Sequence, residues 1–297
     1  MVYVVALDPA SVQALTSVGA LGEDQLIGIF EALLQNCMIA ETVGTWRVGS
    51  ELREVVKRIG NTDTRKRAIA ILETLASPGR NRFVDVIGGH EDDCDTPLSD
   101  ILITQTRNEE LDVIVCETPA VAGSVEFISA FRFNGSNFAK NRSRSACALI
   151  YAPGAKRAED LLQESFGRIV RHADVVEIYD RQMGKSFGPN YFYAVAHWCR
   201  FFVECGKSFE LQVHTTDSQA GAVLQQFDDE LRDSQVTLRV IGHREELQPH
   251  DRFLRACGFT FDIGRGVDLF DSEGKCRDVK IGLSNHGEFT KQWRHLS

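Results

Sequence analysis

Two short runs, VYVVAL at residues 2–7 and DVIVC at residues 112–116, are apolar without interruption and rich in β-branched side chains. A strand with one face in water alternates apolar and polar residues, so an unbroken run marks a strand covered on both faces, as in parallel sheets layered by helices. The segments between the runs carry the other periodicity. Leu26, Ile27, Phe30, Leu33 and Leu34 recur at helical spacing. A second helix is expected over residues 48–59. A third starts at Asn61 or Asp63 and runs to about residue 76, where Ser77, Pro78 and Gly79 stop it. Residues 82–87 form a strand and residues 97–108 a helix. After a break near residues 120–124, strands at 147–151, 175–179, 211–214 and 236–241 alternate with helices at 156–172, 191–203 and 220–233.

Strands alternating with helices imply an α/β protein. At 297 residues the chain is long enough for two domains, expected at 1–120 and 125–297. Each is expected to hold a mainly parallel sheet flanked by helices. The net charge of -9 argues against a generally basic, nucleic-acid-coating surface. Eight cysteines without any C-x-x-C pair read as buried, reduced thiols rather than zinc ligands or disulfides. No stretch approaches the roughly 18 apolar residues of a membrane span, and no leader-like start is present, so the expected location is the cytoplasm.

In parallel α/β sheets the side chains that follow buried strands meet at one edge. Asp8 follows the first run and Glu117 the second; Asp100 opens the helix SDILITQTRN; Glu51 and Glu54 lie one turn apart on an earlier helix. Carboxylates converging at one edge repel unless a divalent cation neutralises them, and Mg²⁺ or Mn²⁺ suits an all-oxygen site. Each acid also has a structural role open to it, as a helix cap for Asp8 and Asp100 or as an ion-pair partner of Lys57 and Arg58 for the two glutamates. The loop carrying His90, Glu91, Asp92, Asp93 and Asp95 reads as a solvated acidic segment.

The motifs VVALDP, SELREV and LSDILITQTRNEELDVIVCETP resemble, in order and spacing, those of the PIN-domain nucleases over roughly residues 1–120. The resemblance implies metal-dependent hydrolysis of a phosphodiester, with Asp8, Glu51, Asp100 and Glu117 as metal ligands and catalytic acids. It implies RNA as substrate, with DNA as the alternative, and a toxin or anti-phage effector held in check by a regulatory partner or by assembly into a homo-oligomer. The fourth acid is Glu where the family usually has Asp, and Glu54 competes with Glu51 for the helix position.

The second half carries DVVEIYDRQMG, LQVHTTD and PHDRFLRACGFTFDIGRGVDLFD. These resemble the phospholipase D-like domain found at the C-terminus of microtubule-interacting-and-trafficking proteins. An active phospholipase D motif reads H-x-K-x-x-x-x-D. Here His250 is followed by Arg252, and Cys257 stands in place of the Asp, removing a partner that would fix the His tautomer. The resemblance therefore implies a non-catalytic domain in which Asp180, His250, Arg252 and Arg265 line a crevice. An arginine pair there suits a phosphate or carboxylate, and Gly264 and Gly266 allow close approach of the backbone; equally open is a buried structural network in which His250, Asp251 and Asp268 pair with the arginines. The alternative to a nuclease is thus an adaptor or sensor that binds a phosphorylated ligand, a membrane headgroup or a partner protein through this domain.

Overall fold

The computed structural model describes residues 2–77, 81–88, 96–117, 123–144, 148–184, 189–247 and 251–284. His250 and the acidic loop at 90–95 lie outside them. The chain divides into two compact units, Met1–Ala146 and Cys147–Ser297.

The first unit is built on a five-stranded sheet of order β3-β2-β1-β4-β5, with all neighbours parallel. Its strands are β1 (Tyr3–Leu7), β2 (Cys37–Thr42), β3 (Phe83–Ile87), β4 (Val113–Val115) and β5 (Glu126–Ile128). The central position of β1 explains its unbroken apolar run, since Val4 to Leu7 are wholly buried. Helices α1 (Pro9–Thr16), α2 (Ala20–Asn36), α3 (Arg47–Lys57), α4 (Thr62–Leu75) and α5 (Leu98–Thr104) fill the connections, and α6 (Asn137–Arg144) closes the unit. Asp8 caps α1, with Pro9 opening the helix where a missing N–H is tolerated. Asn61 caps α4 through Asp63 N and Thr64 N. Helices α1 and α2 approach so closely that a Cβ on Gly22 would stand 1.9 Å from the Leu15 carbonyl oxygen, which excludes any side chain there.

Two expectations change. Strand β2 follows α2 without a turn, and it was not anticipated. The boundary expected at residues 120–124 moves to about 146, because β5 pairs with β4 and Cys116 N donates to Ile128 O at 3.0 Å, which makes β5 a full member of the first sheet.

The second unit holds a seven-stranded sheet of order β6-β12-β11-β10-β7-β8-β9. Strands β7 (Val175–Tyr179), β8 (Phe209–Thr216) and β9 (Val236–His243) are parallel and are joined by α9 (Pro189–Glu204) and α10 (Ala220–Leu231). Ahead of them, β6 (Ala148–Tyr151) leads into a helix made of α7 (Ala158–Leu162), a π-helical turn at Gln163–Gly167 and α8 (Arg168–His172). The other half of the sheet is antiparallel, formed by β6 with β10 (Phe253–Ala256), β11 (Phe259–Ile263) and β12 (Val279–Leu283). The sheet is therefore mixed, where a mainly parallel one was expected. Cys257 and Gly258 form the two-residue hairpin between β10 and β11, both with positive φ (47° and 70°), the geometry that suits the twist of the flanking strands. The core packs Phe166 against Trp198 and edge-on against Phe261. No described helix is long and apolar enough to cross a membrane.

Candidate functional site

In the first sheet the chain runs from β1 outward to β2 and β3, then returns to the other side for β4 and β5, so the strand order reverses between β1 and β4. A crevice forms at the carboxyl ends of strands at such a reversal. Asp8 and Glu117 emerge there. Asp8 N donates to Val115 O (2.9 Å), and the Ser11 hydroxyl bridges the two strand ends, donating to Asp8 Oδ2 (2.5 Å) and accepting from Glu117 N (2.8 Å).

The structure gives each of the four acids a separate environment. Asp8 is buried, and its oxygens also accept from Ala10 N and Ser11 N as the cap of α1. Glu117 accepts from the Ser129 hydroxyl (2.7 Å) and Ala130 N (2.8 Å). Glu51, 41% exposed, is held by Arg47 Nε at 2.8 Å. Asp100 lies exposed in the first turn of α5. Glu54 pairs with Lys57 at the surface, and this ion pair lowers its pKa. Among the described residues no three His, Cys, Asp or Glu side chains are grouped as metal ligands. As placed, these residues do not fit a closed cation site.

Glu41, at the end of β2, is an acid that the sequence reading missed. It is 1% exposed. Its carboxylate accepts from Thr42 N (2.8 Å), Val48 N (2.8 Å) and Gly49 N (2.9 Å), so it caps α3 from the neighbouring strand where Trp46 supplies no cap of its own. The signal was present in CMIAE, an apolar run closed by an acid like those ending at Asp8 and Glu117.

The second unit gathers its charged groups in one place, and the strand directions explain why. Strand β10 runs antiparallel to β7, β11 to β10 and β12 to β11. The end of β7, the start of β10, the end of β11 and the start of β12 therefore share one edge of the sheet. Asp180, Arg252, Arg265 with Asp268, and Arg277 occupy those four places. They line a cavity of about 470 Å³ together with Gln182 and Tyr191.

Asp180 anchors it. The carboxylate, 1% exposed, accepts from Gln182 N (2.9 Å) and Val267 N (3.1 Å) and lies 3.3 Å from Arg252 Nε. Burial raises its pKa, opposed chiefly by the Arg252 charge. Arg252 also donates from Nη1 to Gly264 O (3.0 Å). Gly266, at φ 67°, lets the backbone pass where a Cβ would stand 2.0 Å from Asp180 Oδ2.

Arg277 donates from Nε to Phe270 O (2.9 Å) and lies 3.5 Å from Asp268 Oδ1. Arg265 is exposed, and no ion pair or hydrogen bond among the described residues engages it. The Tyr191 hydroxyl is buried and makes no hydrogen bond of normal geometry; burial raises its pKa strongly, with the Asp180 charge adding to the effect. The structure thus brings Asp180, Arg252 and Arg265 together, while His250 lies outside the described residues. Sequence reading missed Gln182, Tyr191 and Arg277 as lining residues, and had Asp268 only as a structural partner of the arginines. Gln182, in the run DVVEIYDRQMG, and Asp268, in the run IGRGVD, sat in the quoted motifs.

The six described cysteines are free thiols, five of them buried, and burial pushes Cys37 up to about 12. Compared with known proteins, the sequence matches no protein-family model and no curated protein.

Proposed function

We propose that the second unit recognises a phosphorylated ligand in its arginine cavity and that the chain acts as a ligand-binding sensor or adaptor. One observation carries this. Three arginines converge on a cavity that holds only two aspartates, and one of the three, Arg265, is left without a protein partner among the described residues. Guanidinium groups bind phosphate oxygens by paired, charge-assisted hydrogen bonds. The position of Cys257 in a hairpin turn supports recognition rather than phospholipase chemistry, because the Asp of an active motif has no counterpart there. Calorimetric titration of the full chain with inorganic phosphate and with a phosphomonoester tests this. Binding that weakens with added salt and weakens further in Arg265→Gln is expected; no binding at millimolar ligand refutes it.

We also propose, for the first unit, the metal-dependent ribonuclease role that its motifs resemble, which requires Asp8, Glu51 and Glu117 to exchange the partners they hold here for a cation. The specific support is the all-parallel 3-2-1-4-5 sheet with Asp8 and Glu117 at its point of reversal. Labelled RNA and DNA incubated in Mg²⁺ or Mn²⁺ with the wild type, Asp8→Asn and Asp100→Asn decide it. Cleavage by the wild type alone supports the role; equal activity in all three, or none in any metal, removes it.

A further inference from the structure

The groups left unused in the second-unit cavity specify more than an anion. On the donor side stand Arg265 and the terminal nitrogens of Arg277, which no hydrogen bond among the described residues engages. On the acceptor side stands Asp268. Its contact is Arg277 Nε at 3.5 Å, its Oδ1 is buried without a hydrogen bond, and its side chain is 34% exposed, so its open surface lies on the Oδ2 side.

A bare phosphate drawn to the arginines has only its own P–OH to offer Asp268, and offering it brings the anion's charge directly against that carboxylate. A phosphate ester on a hydroxylated skeleton brings a donor on carbon, and its phosphate then stands several bonds away from the repelling carboxylate. Resting on the anion-binding role proposed above, we infer that the ligand is a phosphomonoester of a polyhydroxylated skeleton, a sugar phosphate or a mononucleotide. Arg265 and Arg277 hold its phosphate, and a ligand hydroxyl donates to Asp268. The cavity of about 470 Å³ falls within the roughly 300–1,000 Å³ of small-molecule sites and matches such a ligand rather than a polymer. Discrimination comes from the carboxylate, since only a hydroxyl set apart from the phosphate pairs with it without bringing two like charges together.

The test is calorimetric titration of the full chain with inorganic phosphate, ribose 5-phosphate and adenosine 5′-monophosphate, using wild type, Asp268→Asn and Arg265→Gln. Asp268→Asn preserves side-chain shape, and matching thermal melts confirm that the variants fold. In the wild type, ribose 5-phosphate should bind about tenfold tighter than inorganic phosphate, the worth of one hydrogen bond to a charged group. Asp268→Asn should tighten inorganic phosphate and bring the two ligands to near-equal affinity. Arg265→Gln should weaken both. Adenosine monophosphate binding more tightly than ribose 5-phosphate assigns the site to nucleotides, and the reverse assigns it to sugar phosphates. Equal affinity of phosphate and ribose 5-phosphate in the wild type overturns the inference and leaves Asp268 as a partner of Arg277 alone, with the anion-binding role intact. Failure of both to bind removes that role itself.

Discussion

Replacing Asp180 by Ala strikes the group around which the second-unit cavity is organised. The carboxylate is almost fully buried, accepts from Gln182 N (2.9 Å) and Val267 N (3.1 Å), and forms an ion pair with Arg252 Nε at 3.3 Å. Alanine leaves two backbone N–H groups without an acceptor and a guanidinium without its counter-charge. Removing one member of a buried ion pair costs about 3–5 kcal/mol. Arg252 is 24% exposed, so water screens part of its charge, and the expected loss lies near the lower end, about 3 kcal/mol.

The sign of the pH dependence follows from the raised pKa of Asp180. Between the ordinary carboxylate pKa and the raised one, the folded chain binds more protons than the unfolded chain. The stability contributed by that proton is present at acidic pH and is lost as pH rises through the folded pKa. Alanine has no such proton, so the penalty of Asp180→Ala should be larger at acidic than at neutral pH.

Urea denaturation followed by Trp198 fluorescence measures both effects, in a background with Trp46 and Trp293 changed to Phe. Trp198 is buried and its indole N–H donates to Val267 O at 3.1 Å, so it reports on the same corner of the fold. A local reporter is needed because a chain of two units does not guarantee one two-state transition. A loss below about 1 kcal/mol would show that Arg252 and the Val267 segment do not depend on Asp180, as would be expected of a surface carboxylate. A penalty that shrinks on acidification would show that attraction to Arg252 outweighs burial.

Gly266→Ala should destabilise the second unit, through about 1–2 kcal/mol of left-handed backbone strain and a Cβ placed 2.0 Å from Asp180 Oδ2 and 2.4 Å from Arg252 Cδ; a wild-type urea midpoint contradicts this. Glu41→Ala should cost about 2–3 kcal/mol, because the start of α3 loses its buried cap. Hydrogen exchange at the Val48 and Gly49 amides should quicken with it, and unchanged protection there would refute the capping role.

The elements legible in the sequence were those with a single strong period. The apolar runs became β1 and β4, the heptad-like pattern around Leu26 to Leu34 became α2, and Asn61 capped α4. Strand β2 was hidden because it follows Asn36 directly, with no Gly or Pro to separate the helical period from the strand. Glu41 was hidden with it, since an acid is recognised as a strand-end acid only once the strand is. Strands β10 to β12 are short and antiparallel, and their pairing is set by contacts far apart in sequence, such as Phe253 with Tyr179. The domain boundary shifted for the same reason, because β5 is three residues long and gains its identity only by pairing with β4. The second-unit site was partly legible through the run that holds Arg252 and Arg265. Arg277, just ahead of β12, and Tyr191, on α9, enter the cavity by a proximity that topology creates and linear spacing does not.

The most direct measurement of the central claim is a crystal structure of the full chain grown with ribose 5-phosphate. Phosphate density between the guanidinium groups of Arg265 and Arg277, with a ligand hydroxyl within hydrogen-bond distance of Asp268, is the predicted result. An empty cavity at saturating ligand, or ligand bound only elsewhere on the chain, would contradict it.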